Sequence, residues 1–259
     1  MFLKGKWVLF VTITSVFSCL LWMFGMGWAL FDYFNCSAKS VAEAPAETVE
    51  TDRNGIHIVA LGDSLTRGTG DASGKGYVGY LMEDLEKRSD QKMQITNLGI
   101  KGQTSVQLAE QVKQQEVQRQ IKLADTILIT IGGNDLFRGG QTLAELDLQK
   151  VEGLKEEYSK NVDGILSSIR SQNTEANVFL IGLYNPFIDM EDANTTSQIV
   201  RDWNERSADI SAKYPKAVFV PTFDLFQLKV EDYLYTDNFH PNSEGYQLIA
   251  ERVAALLTW

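Results

Sequence analysis

Residues 55–259 predict a three-layer α/β/α sandwich built on a five-stranded parallel sheet, and the residues ahead of them predict a transmembrane helix. Three observations carry this. Five short apolar runs recur along the chain: IHIVALG from Ile56, MQITNLG from Met93, DTILITIGG from Asp125, NVFLIGLYN from Asn177 and AVFVPTFD from Ala217. Longer stretches with helical spacing separate them, around 77–89, 104–121, 142–171 and 195–213, and another over 243–257 ends the chain. Finally, residues 7–31 carry no charge at all.

The uncharged stretch comes first. From Trp7 to Phe31 the chain is rich in Val, Leu, Ile, Phe and Trp and follows Lys4 and Lys6. That is enough to cross a hydrocarbon core of about 30 Å as a helix. A cleaved secretory signal is the alternative, but its apolar part runs only about 7 to 15 residues. The small-residue site AEA at 42–44 also lies well beyond the run and is followed by Pro45. With the lysines held inside by the positive-inside bias, the expectation is a single-pass protein of the cell membrane with its folded part extracytoplasmic. Residues 1–34 would be the anchor. Residues 35–54, rich in Ala, Glu and Thr, read as a flexible linker with an end-to-end distance of about 25 Å.

The apolar runs are short, rich in β-branched or bulky residues and bounded by Gly, Asn, Asp or Pro, which reads as buried strand. Strands alternating with helices imply right-handed parallel crossovers and a single domain over 55–259. Working groups in such sheets collect beyond the carboxyl ends of the strands.

Composition removes several function classes. Both cysteines, Cys19 and Cys36, lie in or beside the expected anchor, so the folded part has neither a disulfide framework nor a cysteine nucleophile. The formal net charge is −10 and no basic stripe interrupts it, which excludes a nucleic-acid partner. The stretch GTGDASGKG at 68–76 has the look of a phosphate loop. Only three residues separate Gly70 from Gly74, where the nucleotide pattern needs four before its Gly-Lys pair, so no nucleotide is expected.

The strand ends carry GDSLTRG, NLGIKGQT, GGNDLF and LYNPF, and YTDNFHPN precedes the last helix. Ser64 is a poor nucleophile until a base takes its proton. Of the two histidines, His57 lies seven residues before Ser64 on the same strand, about 20 Å away at the wrong end. His240 follows Asp237 by three residues on a turn, a spacing that lets the carboxylate hold one ring nitrogen while the other faces Ser64. Helix capping by Asn242 or Ser243 accounts for the same segment and leaves that pair free. Gly102 can bring a backbone N–H close to a ligand, and Asn134 offers a side-chain amide; an Asx-turn is the other account of Asn134. Phe137, Tyr184, Pro186 and Phe187 either line an acyl pocket or pack their loops.

With these residues assembled, the domain resembles the SGNH hydrolases, also called the GDSL esterases and lipases, in four ordered blocks: GDSLTRG, NLGIKGQT, GGND and DNFHPN. Within that family it is most similar to the membrane-anchored lipase/acylhydrolase type of Gram-positive bacteria. The resemblance implies a flavodoxin-like five-stranded sheet, Ser64 as nucleophile, a triad completed by His240 and Asp237, and an oxyanion hole formed by the Ser64 N–H, the Gly102 N–H and the Asn134 side chain. It implies no metal and no cofactor. The expected partner is an ester, either a lipid or an O-acyl group on a wall polymer. The motif leaves open whether water or another alcohol resolves the acyl-enzyme.

Overall fold

The computed structural model describes residues 3–36, 55–137, 147–190 and 192–257. The chain divides into two compact units, Met1–Asp52 and Arg53–Trp259.

In the first unit, Leu3–Cys36 is helical. Among the described residues, however, no helix is long and apolar enough to cross a membrane. A span needs about 20 consecutive apolar residues. Thr12, Thr14, Ser15 and Ser18 interrupt the apolar character of this helix. This overturns the expected transmembrane helix, and with it the single-pass, extracytoplasmic placement. The linker expected over 35–54 lies, from residue 37 on, outside the described residues.

The second unit is a parallel sheet in the order β2-β1-β3-β4-β5, made of β1 (Ile56–Gly62), β2 (Met93–Asn97), β3 (Thr126–Thr130), β4 (Asn177–Ile181) and β5 (Ala217–Val220). Alternate residues of each strand point to opposite faces, and the two cores follow that period. Val59, Leu61, Ile127, Ile129, Val178 and Leu180 face one way, toward the helices Ser105–Gln111, Gln115–Leu123, Leu148–Gln172 and Ala193–Ser211. Ile58, Ala60, Leu128, Phe179 and Ile181 face the other, toward Gly76–Arg88 and Ser243–Ala254. These are the three layers.

Three differences from the sequence reading have physical causes. β3 is buried throughout, whereas β2 and β5 are sheet edges and stay partly exposed, although all five runs read alike as buried strand. The helix expected over 104–121 is two helices. The first opens on a capping box, Thr104 with Gln107, and ends where the N–H groups of Lys113 and Gln114 turn back three residues to Glu110 and Gln111. Single-turn helices Ser64–Arg67, Gly133–Phe137, Phe223–Phe226 and Val230–Tyr233 also form; four or five residues are too few to show a 3.6-residue period.

Candidate active site

The sheet order reverses between β1 and β3, and such a switch point opens a crevice at the carboxyl ends of the strands. Ser64 sits there. Asp63 follows β1 in extended conformation and caps the next turn, its carboxylate accepting from the Leu65 N–H at 3.0 Å, so that Ser64 is the first residue of that turn. The Ser64 side chain is almost wholly buried.

Across the cleft, the segment 234–241 folds as a tight loop closed by the Tyr235 N–H on the His240 carbonyl at 2.7 Å and by a bridge between Leu234 and Pro241. Asn238 takes a positive φ of 53° inside it. The loop is tied to the domain by the Tyr184 hydroxyl, which donates to the Phe239 carbonyl at 2.5 Å. This brings His240 Nε2 to 2.9 Å from Ser64 Oγ, across a sequence separation of 176. On the other side of the ring, His240 Nδ1 lies 2.7 Å from Asp237 Oδ2. Asp237 Oδ1 accepts from the backbone N–H groups of Phe239 and His240 at 3.0 and 2.9 Å. Partial burial pushes the Asp237 carboxyl up, but the His240 ring and these two N–H donors outweigh it and hold it below the usual carboxylate range.

Gly102 and Asn134 line the same cleft as Ser64, Asp237 and His240. An added Cβ at Gly102 would meet nothing within 4 Å, yet its φ is +78°. That conformation favours glycine there. Asn134 donates one amide hydrogen to the Gln103 carbonyl at 2.9 Å; an amide has two, so the side chain is oriented with a donor to spare. His57, by contrast, stays at the start of β1, where its backbone N–H bonds the Asp125 carboxylate at 2.8 Å.

The cleft has a volume of about 740 Å³. Pro186 and Phe187 form one wall and Val230 and Leu234 another. Phe137 and Tyr184 are core residues that reach only a small adjoining cavity of about 20 Å³ behind Ser64. The four aromatic and apolar loop residues thus divide: two line the cleft and two pack beneath it.

Sequence reading missed Phe239 and Asp63. Phe239 packs edge-on against both Phe137 and the His240 ring, at 5.7 and 5.1 Å between centroids. An apolar ring in an otherwise polar loop, directly before a candidate base, was the available signal. Asp63 is fully enclosed beside Ser64. Burial pushes its carboxyl up to about 7, against hydrogen bonds from the Thr130 hydroxyl and the Leu65 N–H.

Comparison with known proteins gives this geometry a family. Residues 60–248 match the model of the GDSL-like lipase/acylhydrolase family. The chain is 36% identical over 225 residues to the uncharacterized protein YpmR of Bacillus subtilis, covering 84% of this chain and 88% of that one. It is 29% identical to the spore germination lipase LipC of Bacillus licheniformis, covering 77% of this chain and 95% of the lipase. Among solved structures, the lipase Lip_vut3 from a goat rumen metagenome superposes with a TM-score of 0.71 at 27% identity, over 77% of this chain and 96% of that one. An acetylxylan esterase from Geobacillus stearothermophilus shares the fold, with a TM-score of 0.61 at 21% identity over 78% of this chain and 94% of the esterase. With a family model spanning most of its length and a sheet that matches in strand number and direction, this chain belongs to the GDSL-like lipase/acylhydrolase family and is a serine ester hydrolase.

Proposed function

We propose that the enzyme cleaves carboxylic esters through a covalent acyl-enzyme on Ser64, with His240 as general base and acid and Asp237 as its orienting carboxylate. The observation that carries this is the pair of contacts on one imidazole, 2.9 Å to the serine hydroxyl and 2.7 Å to the carboxylate. An ionised Asp237 makes Nδ1 the protonated nitrogen, which leaves Nε2 as the acceptor that a base needs.

His240 takes the Ser64 proton as Oγ bonds to the ester carbonyl carbon. The carbonyl electron pair moves to oxygen, and that charge is received by the N–H groups of Ser64 and Gly102 and by the free amide hydrogen of Asn134. Collapse of the intermediate expels the alcohol, which takes the proton from His240. Water then repeats the sequence to free the acid and regenerate Ser64. We assign this chemistry to a domain spanning residues 55–259.

For the substrate, the largely apolar cleft walls and the likeness to two lipases favour a lipid ester over an O-acyl group on a polymer. Fluorophosphonate labelling tests the nucleophile: the wild-type protein labels covalently and Ser64→Ala does not. Labelling of Ser64→Ala at wild-type level would remove Ser64 from its role. The substrate preference is read from p-nitrophenyl esters of graded length. kcat/KM rises from acetate toward longer chains, and a maximum at acetate would instead select O-deacetylation.

A further inference from the structure

The stretch GTGDASGKG at 68–76, whose spacing fails as a nucleotide loop, still folds so that its backbone N–H groups converge on an anion. That anion is the chain's own Asp71. Its Oδ1 accepts from the Ser73 N–H at 3.0 Å, and its Oδ2 accepts from the N–H groups of Lys75 and Gly76 at 3.0 and 2.8 Å and from the Ser73 hydroxyl at 2.8 Å. A further bond, the shortest of the set, comes from across the molecule: Ser243 Oγ donates to Asp71 Oδ1 at 2.6 Å.

Ser243 opens the helix that follows the His240 loop. The same helix is tied a second time, by the Tyr246 hydroxyl on the Thr69 carbonyl at 2.6 Å. The glycine loop itself abuts the histidine. Gly70 has a φ of +97°, and a Cβ there would come within 2.6 Å of the Pro241 carbonyl oxygen and 3.0 Å of the His240 Cβ. At its other end the loop is joined to the nucleophile, since the Thr69 N–H donates to the Ser64 carbonyl at 2.9 Å. The loop therefore bridges the turn that carries the hydroxyl and the turn that carries the imidazole.

We propose that Asp71 is a positioning residue that acts through Ser243 and the glycine loop to hold His240 at hydrogen-bonding distance from Ser64. This rests on the triad reading above. A carboxylate suits the task because its two oxygens accept all of these donors at once. Burial pushes the acid up, but the bonds from Ser243, Gly76 and Ser73 prevail and hold it at about 2, so it remains ionised under working conditions. An amide offers a single acceptor oxygen and would turn its NH₂ toward N–H donors.

The test is a set of variants of the full chain assayed on p-nitrophenyl acetate. Asp71→Asn loses about 10- to 100-fold in kcat with KM little changed, the scale expected of a small misplacement of a reacting group. In a His240→Ala background, Asp71→Asn leaves the residual rate unaltered, because its route to the chemistry is already gone. An equal fold-loss in both backgrounds overturns the proposal, as does a wild-type kcat for Asp71→Asn. Should Asp71→Asn fail to fold, Ser243→Ala removes only the cross-link. A reduced kcat that vanishes in the His240→Ala background supports the proposal, and an unchanged kcat overturns it. A wild-type rate for His240→Ala alone would refute the triad itself, a result distinct from all of these.

Discussion

At the scale of single residues, the site combines two acids with opposite environments. Asp237 keeps more than a third of its side chain in solvent and is held ionised by its donors. Asp63, next to Ser64 in the chain, is enclosed, and its ordinary value of 3.8 rises to about 7. The second has a consequence for stability. A group that keeps its proton in the native state while the unfolded chain gives it up makes the native state the better proton binder between those two values. The contribution of Asp63 to stability therefore declines as pH rises from about 4 to about 7 and is level beyond. Asp63→Asn retains an oxygen for the Thr130 hydroxyl and the Leu65 N–H but removes the titration. Thermal melts at pH 4.5, 6 and 8 should show the wild-type protein losing ground to the variant as pH rises. Parallel pH profiles for the two proteins would take Asp63 out of the linkage.

At the scale of elements, each wall of the cleft depends on how a strand end is finished. Beyond β4 the backbone of Leu183 leaves the sheet, and buried Asn204, from the helix Ala193–Ser211, stands in for a neighbouring strand. It accepts from the Leu183 N–H at 2.8 Å and donates to the Leu183 carbonyl at 2.7 Å. Asn185 continues the pattern, its amide donating to the hydroxyls of Thr196 and Ser197 on the same helix. Asn204→Ala would strand both Leu183 groups in the interior, at about 1–3 kcal/mol each. Urea unfolding should register a loss of about 2–6 kcal/mol with the slope unchanged. A loss under about 0.5 kcal/mol, the scale of an ordinary surface change, would mean that the strand end is secured elsewhere. None of this was legible in the sequence, where Asn204 is one polar residue on an amphipathic helix. Helical period reveals which face is buried, but not that a buried polar group is serving another element's backbone.

At the scale of the molecule, legibility follows the range of the signal. Strand runs and strand-end residues are local in sequence, so the five strands, their parallel direction and the groups at their carboxyl ends could be read directly. The 176-residue separation between Ser64 and His240 was bridged because one serine in a strand-end motif and two histidines leave few pairings, and His57 sits at the wrong end of its strand. The small cavity behind Ser64, the ring contacts of Phe239 and the Asp71 network depend on side-chain geometry that no spacing encodes. The membrane expectation failed because a run without charge is not thereby apolar enough to span, and Thr12, Thr14, Ser15 and Ser18 interrupt this one. The two cores offer a final test of the organisation. Every buried residue in them lies between Ile56 and Ala254, within the second unit. Hydrophobic burial scales with the apolar area removed from water, and that area is retained when residues 1–52 are absent. A chain beginning at Arg53 should then fold with the cooperativity and melting temperature of the full protein and hydrolyse p-nitrophenyl esters with the same kcat/KM. A broadened or lowered melt would show that the first unit contributes to the folded state, and the domain limits proposed above would have to move toward the N-terminus.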